Sequence, residues 1–341
     1  MTAVMPTGVA AARDLVGPAM AGLIERLSPD VRIVAAYHLG LADAAGRPVP
    51  PGVSSSGKAL RPALALLSAR AAGVAPQRGV APAVAVELVH NFSLLHDDIM
   101  DSDTERRHRP TAWTVFGIGA AILAGDALLA LAQDALLEDV SPQSPWAARC
   151  LSAAVQRLIA GQGADLAFER RDDVTLDECL EMAGDKTAAL MACACSIGVI
   201  HVGAPPNLAM GLAGFGAHVG LAFQLTDDLL GIWGAPEVTG KPVHSDLRAR
   251  KKSLPVVAAL TSDTRAGEEL RSCLAGADPL SEDDLLRAAS LVEEAGGRQW
   301  AEAEADKQLS LAAGCLAETD MPDDVRTEFA AIADFITARQ S

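Results

Sequence analysis

The sequence predicts an all-α protein, and three observations carry that expectation. Half of the 341 residues are hydrophobic and only 4% are aromatic, with alanine and leucine, strong helix formers, far ahead of β-branched runs. Long stretches such as Val86–Leu95 and Ala217–Leu230 place apolar residues at helical spacing. Helix starts are legible too: in ADPLSEDDLLRAASL, Ser281 precedes three acidic residues of a first turn. A chain of this length can build one large core or two small domains. No internal repeat divides it, so the expectation is a single all-α domain: two helical bundles about a central cavity.

Residues 1–9 read as a disordered start and 10–341 as that domain. A helical pattern runs from Ala11 to about Ala45, broken near Ser28-Pro29. Gly46–Gly57, with three prolines, reads as a loop. Helices are then expected over Leu60–Ala72, Pro82–Asp103, Gly119–Val140, Ala147–Arg170, Thr175–Val202 and Leu208–Gly231. Five more follow, over Leu254–Thr261, Glu268–Ala275, Ser281–Ala295, Arg298–Ala317 and Asp323–Arg339.

The formal net charge of -16 disfavours binding nucleic acid or an anionic membrane through a broad basic surface. Six cysteines without a CxxC pair read as free thiols. The first residues lack the basic start and sustained apolar core of a signal peptide. No stretch reaches the roughly 18 uncharged apolar residues of a membrane span. A cytoplasmic protein without a transmembrane segment is expected.

The chemistry concentrates in two acidic segments. In LLHDDIMDSDTERRHRPT, Leu94–Thr111, Asp97 and Asp101 are i and i+4, so a helix puts both carboxylates on one face. Two such carboxylates repel, and burying them is costly. A hard divalent cation removes that cost, and Mg2+ is usually shared between carboxylates and substrate phosphates. Arg106 and Arg107 follow, with side chains suited to bidentate phosphate recognition. The second segment, FQLTDDLLGIWG, places Asp227 and Asp228 within an apolar helix, with Gln224 one turn before them. A loop with Lys241, Asp246, Lys251 and Lys252 comes next. A lone acidic helix end is usually a solvated face, and a lone lysine pair is usually surface. Two apolar helices, each interrupted by an aspartate pair and followed by a basic stretch, point instead to a diphosphate bound through metal.

In combination the motifs resemble the trans-isoprenyl diphosphate synthases, from about Tyr37 to Leu260. They are GKALRP (Gly57–Pro62), HDDIMD (His96–Asp101), Arg106-Arg107, GQGADL (Gly161–Leu166), DKT (Asp185–Thr187), FQLTDD (Phe223–Asp228) and SDLRARKKSLP after Gly240-Lys241. The resemblance implies an isoprenoid synthase helical bundle with two facing aspartate-rich helices, and a homodimer. It implies head-to-tail condensation of isopentenyl diphosphate with dimethylallyl, geranyl or farnesyl diphosphate. Three Mg2+ ions are implied, two on Asp97 and Asp101 and the third on Asp227. Asp98, Asp228 and Asp246 would support the metal ligands. Arg106, Lys186, Lys241 and Lys251 would hold the allylic diphosphate, with Thr187 and Gln224 facing the developing cation. Lys58, Arg61, His90 and Arg107 would hold isopentenyl diphosphate without metal. His90 lies two turns before Asp97 on the same face. A lone histidine on an apolar helix is more often a core group, but this alignment favours a ligand.

Four positions depart from the family pattern. Ala59 stands where a basic residue is common, Gly231 where a third aspartate is common, and His108 and His244 where glycine is usual. By the family pattern, an aromatic such as Phe92 five residues before Asp97, with the short first motif, implies a short product; small Ser93 argues against the tightest floor. Geranylgeranyl diphosphate is favoured, with farnesyl diphosphate second. Two other readings are a class I terpene cyclase and an inactive regulatory subunit of a heteromeric synthase. The GKALRP segment and the arginine pair argue against the first, and both intact aspartate pairs against the second.

Overall fold

The computed structural model describes residues 7–49, 59–139, 141–236, 242–276 and 278–337. Its centre is made of α3 (Leu60–Ala71), α4 (Val80–Met100), α6 (Ile118–Glu138), α7 (Ser144–Phe168), α9 (Ala189–His201) and α10 (Pro206–Trp233). Helix α9 is apolar on nearly every side and is enclosed by α3, α7 and α10, as expected of a helix without a polar face. Close approach of α10 depends on small residues: a Cβ at Gly220 would lie 2.6 Å from the Ala188 Cα. The N-terminal helices α1 (Thr7–Ile24) and α2 (Pro29–His38) flank this core, packing on α3 and on α6 respectively. The short α5 (Ala112–Phe116) leads into α6, and α8 (Leu176–Ala183) precedes α9.

Beyond α10 come α11 (Ser245–Arg248), α12 (Leu254–Leu260), α13 (Arg265–Leu274), α14 (Glu282–Glu294), α15 (Gly297–Glu318) and α16 (Asp323–Thr337). The starts of α8 and α14 are closed by capping boxes, Thr175 with Glu178 and Ser281 with Asp284. Helix α15 lies along α10, and α16 reaches back to α3, where Arg70 meets Asp324 and Glu328.

Several expectations are corrected. The disordered start does not extend to residue 9: α1 begins at Thr7 because Val9, Ala12 and Val16 are buried in the main core. Helix α2 ends at His38, not near Ala45, since Gly40 and Gly46 adopt φ of 73° and 76° and the Asp43 carboxylate binds the amides of Ala45 and Arg47. The expected Thr175–Val202 helix is interrupted by a π-turn at Gly184–Ala188. Three helical stretches are long and apolar enough by composition to cross a membrane, Ile118–Glu138, Leu176–His201 and Pro206–Trp233. The apolar surface of Leu176–His201 goes largely into internal packing, its most apolar window being 72% buried, whereas the windows of the other two are 44% buried.

Candidate active site

The first aspartates sit where α4 stops. Asp97 occupies its last turn, and Asp101 caps the helix, its amide donating to the Asp97 carbonyl at 2.8 Å. Burial pushes the Asp97 carboxyl up to about 6, opposed by Lys186 and reinforced by Asp101. Asp98 faces another way, about 100° round the helix. It is only 1% exposed, its Oδ1 accepts from Arg106 Nε at 2.6 Å, and its Oδ2 is buried without a partner.

On α10 the second pair divides in the same manner. Both aspartates lie within the helix, as expected; Asp227 is exposed and Asp228, at 3% exposure, is buried. Asp228 accepts from Gln224 Nε2 at 2.8 Å and from the Leu254 amide at 2.9 Å, so it caps the start of α12. Burial raises its carboxyl to about 6, with Lys251 opposing. Gly231, one turn after Asp227, leaves the space that Asp246 fills: a Cβ there would lie 2.5 Å from both Asp246 carboxylate oxygens. A carboxylate from the following loop thus occupies the place next to Gly231.

Two lysines join the pairs. Lys186 lies on the π-turn, and π-turns are frequent at functional sites. Gly161 of α7 makes room for it, since a Cβ there would come 2.8 Å from the Lys186 Cα. Lys186 Nζ bonds Asp165 Oδ2 at 2.5 Å and faces Asp97 and Asp101. Lys251 lies 3.7 Å from Asp228 and 4.0 Å from Asp246. Burial lowers its affinity for a proton, but Asp228, Asp246, Asp165 and Asp227 more than offset this and hold it charged. Lys251 also faces Asp101, so the two acidic helix ends share one electrostatic site. Within it Thr187 Oγ1 donates to Gln224 Oε1 at 2.7 Å, linking the π-turn through Gln224 to Asp228.

A second cationic group forms two turns earlier along α4. Arg61 Nη1 is 3.3 Å from His90 Nε2. Burial, then Arg61 and Arg107, holds the His90 ring well below its ordinary pKa, so it is neutral. Glu87 faces both Arg61 and Arg107. Arg61, His90 and Arg107 are therefore brought together; Lys58 and Lys241 lie outside the described residues.

Arg106 and Arg107 are not on a helix end. They belong to a two-residue hairpin, β1 (Glu105–Arg106) with β2 (Arg109–Pro110), in which Arg106 pairs with Arg109. Arg107 and His108 make its turn at φ of 54° and 60°, the left-handed pair of a type I′ turn. His244 likewise has φ of 63°. Both histidines thus hold backbone that glycine adopts without strain. His108→Gly and His244→Gly should each raise stability by up to about 1 kcal/mol, read as a higher melting temperature; a lower one for both would show no strain at these turns.

Among the described residues, no three His, Cys, Asp or Glu side chains cluster closely enough to cage a metal alone. That arrangement fits Mg2+, which uses one or two carboxylates together with waters and substrate phosphates. Asp97, Asp101 and Asp227 supply hard oxygens, and the desolvated Asp97 carboxyl lacks the positive charge that such an ion brings.

Sequence reasoning left Asp165, Glu87, Asn91 and His38 without a role. Asp165 had a signal, its place in GQGADL; the others are recognised only through contacts distant in sequence.

Residues 46–292 match the polyprenyl synthetase family. A crystal structure of a polyprenyl synthetase from Streptomyces coelicolor A3(2) is 52% identical, with a TM-score of 0.91 over 96% of this chain and 98% of that one. A (2E,6E)-farnesyl diphosphate synthase of Mycobacterium tuberculosis is 49% identical over 97% of this chain and 92% of its own. A geranylgeranyl diphosphate synthase of the same organism is 42% identical over 96% of this chain and 92% of its own. With this match covering most of its length, and two aspartate-bearing helix ends joined through lysines, the chain belongs to the polyprenyl synthetase family and is a prenyltransferase.

Proposed function

We propose that the protein condenses isopentenyl diphosphate with an allylic diphosphate, head to tail and with Mg2+, to an all-trans product of fifteen or twenty carbons. The observation that carries this reading is the separation of two cationic sites. One interleaves Lys186 and Lys251 with Asp97, Asp101 and Asp227; the other gathers Arg61, His90 and Arg107 two turns earlier along α4. A terpene cyclase needs only the first.

In this reading Lys186, Lys251 and Lys241 hold the allylic diphosphate, and Arg106 braces the site through Asp98. Bound Mg2+, up to three ions, would supply charge stabilisation to the departing diphosphate. The fixed lysines add preorganised positive charge where that group leaves. Thr187 and Gln224 present oxygen dipoles near the allylic carbon. Arg61, His90, Arg107 and Lys58 orient isopentenyl diphosphate so that its double bond reaches that carbon. The released diphosphate is the base for the final proton. The twenty-carbon preference rests on small Ser93; relatives are named for fifteen and for twenty carbons, the fifteen-carbon one at the higher identity.

A second copy of the chain is the proposed partner. Ile118, Ile122, Leu123 and Leu137 of α6 and Trp146 and Ile159 of α7 are exposed, apolar side chains that a second copy would cover. Light scattering is expected to give twice the chain mass; a monomer at micromolar concentration contradicts this.

Arg107→Ala should raise the KM for isopentenyl diphosphate about tenfold or more, the loss of one charged contact. Arg106→Ala should act mainly on the allylic substrate, through Asp98. Equal effects of each variant on both substrates would undo the partition. The function itself is tested by incubating the protein with Mg2+ and a labelled allylic diphosphate, with and without isopentenyl diphosphate. An elongated product only when both are present supports the synthase; a cyclised hydrocarbon from the allylic substrate alone supports a cyclase.

A further inference from the structure

Helices α7 and α9 run antiparallel along a common seam. Towards one end Gly161 packs on Lys186, and Arg157 Nε bonds Asp185 Oδ1 at 2.6 Å. At the other, Ser141 Oγ, just before α7, donates to the His201 carbonyl at 2.7 Å. Between these fixed points Cys150 of α7 and Cys193 of α9 face each other, their sulfurs 3.9 Å apart. Both are free thiols, and neither belongs to the substrate sites described above.

The two thiols are not equivalent. Cys150 is partly exposed, whereas Cys193 is buried at 3% exposure. The Cys193 thiol, with Ser196 adding to it, favours the Cys150 thiolate more than burial opposes it, which holds Cys150 below its ordinary pKa. Cys193 is held well above its own by Cys150 and by burial. Thiolate character and access together decide which thiol is oxidised first. Cys150 is thus the reactive member, and Cys193 the thiol waiting behind it. Two other buried thiols are turned elsewhere. Cys195 packs on Gly216 of α10, where a Cβ would lie 2.9 Å from its own, and Cys179 donates to the Lys252 carbonyl at 3.3 Å.

We infer that Cys150 and Cys193 form a reversible disulfide when the protein meets a hydroperoxide, tying α7 to α9. The Cys150 thiolate attacks the peroxide: its O–O bond breaks, an S–O bond forms, and the departing oxygen takes a proton and leaves as alcohol or water. The Cys193 sulfur then attacks the sulfenic sulfur of Cys150. The S–O bond breaks, the S–S bond forms, and the hydroxyl leaves with the Cys193 proton as water. Two thiols give up two electrons, and one hydroperoxide takes them. The sulfurs must close to about 2.05 Å; the seam on both sides is already held, so the closing motion falls on the two side chains. The bridge ties the helix bearing Asp165 to the one that follows Lys186, its partner.

The test treats the reduced full chain with a few equivalents of hydrogen peroxide and blocks the remaining thiols with iodoacetamide in denaturant. Intact mass and fragmentation of tryptic peptides read the result. All six thiols should alkylate before peroxide, and two fewer after it. One linked peptide should join Cys150 to Cys193, and dithiothreitol should release it. Cys150→Ser should keep every remaining thiol. Cys193→Ala should form no bridge and leave Cys150 as a sulfenic acid that a cyclic 1,3-dione traps. Circular dichroism checks that the variants fold; Cys150→Ser, a one-atom change at a partly exposed site, keeps the test falsifiable if Cys193→Ala does not. Six alkylated thiols in the treated parent overturn the inference, as do a bridge to another cysteine, a bridge between two chains, or a loss of two thiols that persists in Cys150→Ser.

Discussion

Asp97→Ala and Asp227→Ala are each expected to lower turnover on the order of a thousandfold or more, because the metal cluster acts as a unit. The fold should survive in both. Asp227 is exposed, and the Asp97 carboxyl is raised to about 6 by burial, so alanine removes a carboxylate that is uncomfortable without metal. Asp228→Ala is the contrasting variant. It strips the Leu254 amide and the Gln224 side chain of their acceptor, and should cost about 1–3 kcal/mol of stability. Circular dichroism melts beside turnover measurements separate the cases. Near-parental activity in both Asp97→Ala and Asp227→Ala would refute the metal assignment.

Phe92→Ala is expected to lengthen the product. Phe92 is 6% exposed, and its ring stands edge-on to His96 at 4.8 Å, directly before the first aspartates. Ser93 offers little obstruction, because its hydroxyl turns back to the His90 carbonyl at 2.9 Å. Removing the ring should open space for the growing chain. It should also cost about 3–5 kcal/mol as a buried aromatic truncation, so only folded variant protein is informative. Chromatography of dephosphorylated products from variant and parent reads the result. An unchanged length distribution would make Phe92 an ordinary core residue.

What the sequence made legible follows from helical periodicity. The spacing of Asp97, Asp101, His90 and Gln224 assigns them to shared faces before any tertiary contact is known. The same periodicity could not tell Asp227 from Asp228: both interrupt an apolar run, and only the position of Leu254, distant in sequence, decides which one caps α12. It also missed the π-turn under Lys186, against which Gly161 of α7 packs closely. The Arg107–His108 turn was hidden because neither residue is the glycine or asparagine that advertises left-handed backbone. Gly231 looked like a lost carboxylate; Asp246 fills the space beside it.

The most direct test of the account is a crystal structure with Mn2+ and an unreactive thio-analogue of an allylic diphosphate. Anomalous peaks are expected between the end of α4 and α10, with Asp97, Asp101 and Asp227 as ligands and the diphosphate against Lys186 and Lys251. A diphosphate bound there without metal, or metal bound away from either aspartate pair, would contradict it.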